Sequence, residues 1–103
     1  MHRLSYDEGT IKKVWEKGGI IPGYDPEAWR QDECGAWIGR RFYGNKDSQY
    51  GWEIFAAEPR VQGAEVETSN LHPMQWENSK ARKLGRSKCV VTGAEARNIR
   101  FLV

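Results

Sequence analysis

Five tryptophans in 103 residues constrain this chain more than any other feature of its sequence. Each such ring can bury ~150–250 Å², so a few of them can hold a small domain together. Trp15, Trp29, Trp37, Trp52 and Trp76 are spread through most of the sequence, which predicts one aromatic-centred core. A chain this short buries only ~60–65% of the surface its unfolded form exposes. One modest core must therefore suffice, in a single domain over 1–103. Hydrophobic residues at 39% and charged residues at 29% fit a folded rather than a disordered chain. No apolar run approaches the ~20 residues that span a bilayer, and no charged start with an apolar stretch reads as a signal peptide. Cys34 and Cys89 are too few for a disulfide framework and neither belongs to a Cys-x-x-Cys pair. The expectation is a reduced, cytoplasmic protein with no membrane partner.

The net charge of +2 conceals an asymmetry. Residues 1–78 hold nine Lys/Arg against thirteen Asp/Glu, a net of −4. Residues 79–103 hold seven Lys/Arg against Glu95 alone, a net of +6. A basic end on a mildly acidic body is an electrostatic footprint for phosphate, and equally suits an acidic protein partner.

Along the chain, residues 1–10 read as a polar, frayed terminus. A short helix is expected over 11–17, with Ile11, Val14 and Trp15 on one face and Gly18-Gly19 ending it. Residues 20–26 form a proline-punctuated turn, and 25–30 resemble a single N-capped helical turn with Pro26 at its first position. Residues 36–38 read as a short strand, and 40–48 as a loop with Gly44-Asn45 as its turn signal. The alternation of 50–55 predicts a strand ending near Ala57, with Trp52 and Ile54 on one face and Glu53 and Phe55 on the other. After a loop over 59–69 and a brief extended piece at Asn70-Leu71, Pro73 is expected to open a helix through Leu84, closed by Gly85. A last strand is expected over 88–92, with Gly93 turning the chain.

Specific residues now join this order of elements. Gly51-Trp52-Glu53-Ile54 is followed by Pro59, Gly63, Ser69-Asn70-Leu71, Pro73 and Gln75-Trp76-Glu77-Asn78. Upstream stand Trp15-Glu16-Lys17-Gly18, Trp29-Arg30, Asp32, Cys34-Gly35 and Tyr43-Gly44-Asn45. Together they resemble the HNH endonuclease family over most of the chain. The resemblance implies an α+β fold with a ββα-metal core at about 50–84, an N-terminal helical and loop segment, and a C-terminal strand.

The chain departs from the family at the chemistry. Phe55-Ala56-Ala57 stands where the family places Asp-His-Ile, whose aspartate helps bind a divalent cation and whose histidine activates water. Phe55 offers no oxygen to a hard cation, and Ala56 cannot accept a proton. Asn70 matches the asparagine that orients that histidine, and Ser79 falls near the last metal-ligand position with Asn78 beside it. His72, Glu53 and Glu58 are the residues that could rescue metal binding, but no recognised arrangement places His72 as a base. The cysteines lack a paired histidine, Cys89 reads as a buried small hydrophobe, and Gly18-Gly19 lacks the residues of a phosphate loop. Neither a metal nor another cofactor is expected.

The resemblance and the charge together predict a catalytically inactive domain that binds nucleic acid, with DNA the expected partner, through its basic end, residues 80–103. Lys80, Arg82, Lys83, Arg86 and Lys88 would meet phosphates with salt-sensitive, largely sequence-independent contacts. Two alternatives are an inhibitor or adaptor that binds protein on a nuclease scaffold, and an active endonuclease with unusual ligands.

Overall fold

The computed structural model describes residues 6–57 and 68–101. Helix α1 (Glu8–Trp15) starts inside the stretch read as frayed, because Asp7 caps it, its carboxylate accepting from Thr10 N at 2.7 Å. A three-stranded antiparallel sheet follows, made of β1 (Gly19–Ile20), β2 (Trp29–Gln31) and β3 (Trp37–Gly39) in that order. Trp29 thus begins a strand rather than continuing a helical turn. The turn itself stands, with Ala28 N donating to Asp25 O and Glu27 N to Asp25 Oδ1, each at 2.9 Å.

Strand β4 (Trp52–Ala56) pairs antiparallel with β5 (Leu71–Gln75), and α2 (Trp76–Lys83) follows directly. Pro73 therefore lies in a strand and does not open the helix. Ala57 N donates to Asn70 O and Trp76 N to Gly51 O, both at 3.0 Å. Every second pair between them exchanges backbone bonds, which leaves Pro73, opposite Ile54, at a position where no N–H is asked of it. Gln75 caps α2 instead, its side-chain oxygen accepting from Glu77 N and Asn78 N. Gly85, at φ 85°, closes the helix as expected.

The C-terminal part is a hairpin, β6 (Val91–Ala94) with β7 (Arg97–Arg100). Gly93 sits within β6 and the turn falls at Glu95, at φ 55°, so the single strand expected over 88–92 is displaced and doubled.

Ile11, Val14 and Trp15 of α1 pack on Ile38, Trp52, Ile54 and Leu71 to form the core. Trp15 and Trp52 lie 5.2 Å apart between ring centres. The aromatic residues do not make one cluster, however. Trp29 and Trp37 cover the opposite face of the three-stranded sheet and join Tyr24, Phe42 and Tyr50 in a second, partly exposed group. Arg30 points to the core side, stacks over Trp15 and donates to the carbonyls of Pro26, Glu16 and Gly18.

Cys34 and Cys89 form a disulfide, which corrects the reading of two reduced thiols and of Cys89 as a buried hydrophobe. Its partners are 55 residues apart, so closing that loop in the unfolded chain is worth about 4 kcal/mol in the chain-entropy model. That is a large share of the ~5–15 kcal/mol that holds a domain folded. Among the described residues no helix is long and apolar enough to cross a membrane.

Candidate functional site

Strand alternation places Glu53 and Phe55 on the side of β4 that faces α2, opposite Met74 and His72 of β5. Met74 is fully buried beneath the helix. Ser79 Oγ donates to Glu53 Oε1 at 2.7 Å, and Lys83 Nζ donates to the same oxygen at 2.8 Å. Burial disfavours the Glu53 carboxylate, but the bonds from Lys83 and Ser79 and the charges of Lys83 and Lys46 outweigh it. They hold the group below its ordinary value.

The positions that the resemblance would assign to a metal centre are thus only partly brought together. Glu53, Phe55, His72 and Ser79 share one face and its overlying helix. Ala56 lies on the other side, opposite Leu71 and against the core. Asn70 ends the short 3₁₀ turn Thr68–Asn70 before β5, and Glu58, Pro59 and Gly63 lie outside the described residues. These donors do not fit a divalent cation. Phe55 contributes no oxygen, Glu53 already holds an ammonium, and no three His, Cys, Asp or Glu side chains gather as a ligand set among the described residues.

Asn78, one residue from Ser79, faces away from this wall because successive helical residues are turned by about 100°. Its amide donates to Asp32 Oδ2 at 3.1 Å and Val91 O at 3.0 Å, and accepts from Val90 N and Val91 N at 2.9 Å. Asp32 also accepts from Cys34 N, Ala36 N and Gln75 N. Burial raises the Asp32 pKa, and these four bonds oppose the rise without cancelling it. The pair ties the β2–β3 turn, the β5–α2 junction and the C-terminal hairpin into one frame. Sequence reasoning noted Asp32 and Asn78 only as parts of a resemblance. Asp32 lies 43 residues from Gln75 and 46 from Asn78, and no local pattern announces those two bonds.

The frame presents the basic residues in two groups. Arg82 pairs with Glu33 at 3.1 Å and Lys83 with Glu53, so both charges are partly answered within the domain. Arg100 is likewise paired, with Glu77. Lys80, Arg86 and Lys88 are exposed on and just after the last turns of α2, and none has an ion pair among the described residues. Lys46, from the loop before β4, acts electrostatically on Glu53 and adds a cation near this surface that the sequence reading passed over.

No protein-family model, curated protein or solved structure matches the chain.

Proposed function

We propose that this domain is a catalytically inactive, HNH-like module that binds duplex DNA through the basic surface at the end of α2. The observation that carries the reading is the contrast between the cations of α2 and its exit that are answered internally and those that are not. Lys83 is taken up by Glu53 together with Ser79, and Arg82 by Glu33, whereas Lys80, Arg86 and Lys88 stand exposed with no ion pair among the described residues. Cations arranged this way suit phosphates, which demand charge and little geometry. The strand–strand–helix order of β4, β5 and α2 supports the likeness to a ββα core.

Reversing the three exposed charges tests this reading. Lys80→Glu, Arg86→Glu and Lys88→Glu together remove duplex binding in an anisotropy titration, while Arg41→Glu, far along the chain, leaves most of it. Equal binding by the triple variant and the parent overturns the assignment. Incubation of plasmid with the parent and magnesium or manganese yields no nicks, and nicking would restore the reading of an active enzyme.

A second reading is favoured by the partly exposed rings of Tyr24, Trp29, Phe42 and Tyr50, since aromatic anchors carry interface energy. On it the domain is an inhibitor or adaptor for a protein. A stoichiometric protein partner lost on Tyr24→Ala but kept by the triple charge variant would establish it.

A further inference from the structure

Residues 84–88, which follow α2, are exposed at every position and carry Arg86 and Lys88. On one side they are held where Arg86 N donates to Ala81 O at 2.9 Å. On the other they are held by Cys89, bonded to Cys34, and then by Val90 N on Asn78 Oδ1. The disulfide is therefore the first tie to the body after the two cations. Its partner turn is fixed independently, because Cys34 N donates to Asp32 and Cys34 O accepts from Thr92 Oγ1 at 2.8 Å. Arg82 Nη2 stands 3.9 Å from Cys34 Sγ, and both cysteines are only partly buried.

We propose that Cys34–Cys89 is a reducible latch that positions the basic segment, and that a dithiol reductant is its substrate. A thiolate of the dithiol attacks Cys89 Sγ, forming a new S–S bond as the Cys34–Cys89 bond breaks. Cys34 leaves as a thiolate beside the Arg82 guanidinium, the charge placement that favours this sulfur as leaving group. The second thiol of the dithiol, deprotonated, then displaces Cys89 and closes the cyclic disulfide of the reductant. Two electrons and two protons pass to the protein, which ends with two thiols. The bonds of Leu84, Gly85 and Arg86 to the end of α2, of Asn78 to Val90 and Val91, and of Thr92 to Cys34 survive, so the opening is confined to 87–89. Loosening Lys88, and with it the chain that leaves Arg86, removes the preorganisation that favours phosphate contact. This last consequence rests on the DNA-binding reading, and the latch itself does not.

The test compares the oxidised full chain with protein reduced by dithiothreitol, alkylated with iodoacetamide and freed of reagents. The variant Cys34→Ser/Cys89→Ser serves as a second, unalkylated form. Limited trypsin digestion read by mass gives, in the opened forms, cuts after Arg86 and Lys88 about tenfold faster than in the oxidised chain and ahead of any cut at the buried Arg30, which waits on global unfolding. Equal cleavage in all forms, or cuts after Arg86 and Lys88 that appear no sooner than the cut at Arg30, overturns the latch. In parallel, a labelled 20-base-pair duplex binds the opened forms about tenfold more weakly at equal salt. Equal binding by all forms overturns the coupling. If no form binds duplex and cleavage is still selective, the DNA-binding reading fails while the latch stands. Arg82→Gln slows reduction by dithiothreitol at pH 7 about threefold, and an unchanged rate removes the role given to Arg82.

Discussion

Truncating Asn78 to alanine should damage this fold far more than truncating its neighbour Ser79. The hydrogen-bonded pairs of the C-terminal hairpin include Val90 with Phe101, whose N–H donates to Val90 O at 2.9 Å. Val91 N and O therefore point away from β7, and Asn78 serves both as a strand partner would. Removing its amide strands these two buried groups, exposes Val90 N to whatever water reaches it, and withdraws one of the donors to Asp32. Buried groups left unpaired cost about 1–3 kcal/mol each, so the loss comes to about 4 kcal/mol. At roughly 4–8 °C per kcal/mol for a domain near this size, the melting temperature falls by roughly 16–32 °C. Ser79→Ala removes one bond to a carboxylate that Lys83 still holds, and costs about 2 kcal/mol. The assay is thermal unfolding by circular dichroism under oxidising conditions. If Asn78→Ala melts no lower than Ser79→Ala, the frame described here is not what holds the hairpin to the helix.

Three further outcomes follow from the same geometry. The Glu53 carboxylate is held below its ordinary value of 4.5, so its contribution to stability is complete above that pH and is lost as pH falls through the lower folded value. Chemical denaturation from pH 7 to pH 3 therefore shows a smaller acid loss in Glu53→Gln than in the parent, and an equal loss contradicts the assignment. Asp32 runs the other way: its folded pKa is raised above 3.8, so its contribution is complete below that value and is lost as pH rises through the folded one. Gly51→Ala drives a Cβ into the backbone carbonyl of Asn45, which cannot yield as a side chain would, and should leave no cooperative unfolding transition at room temperature. Normal melting of that variant would mean the approach of the 45–51 loop to β4 is misdescribed.

The parts of this molecule legible in its sequence are those set by local periodicity. The face of β4 that carries Glu53 and Phe55 follows from alternation alone, and the end of α2 at Gly85 follows from the need for a positive φ. Pro73 was misleading because proline at a helix start is the commoner case, and only the pairing register reveals that its missing N–H is harmless. Strands β2 and β7 escaped because Trp29-Arg30-Gln31 and Arg97-Asn98-Ile99-Arg100 are short and charged, and their pairing partners decide their conformation. The disulfide and the Asp32–Asn78 pair join residues 46 to 55 apart, where spacing carries no information. The basic end was legible as composition. Which cations are answered internally was not, since Glu33 and Glu53 reach Arg82 and Lys83 only in the folded chain.

The salt dependence of duplex binding bears most directly on the central claim. Three exposed cations, Lys80, Arg86 and Lys88, neutralise about three phosphates, which gives a slope of log affinity against log salt of about −2.7. Affinity then falls about fortyfold between 50 and 200 mM salt, and each single alanine substitution among the three flattens the slope by about 0.9. A slope near zero, or one that none of the three substitutions changes, would contradict the assignment of this surface to DNA.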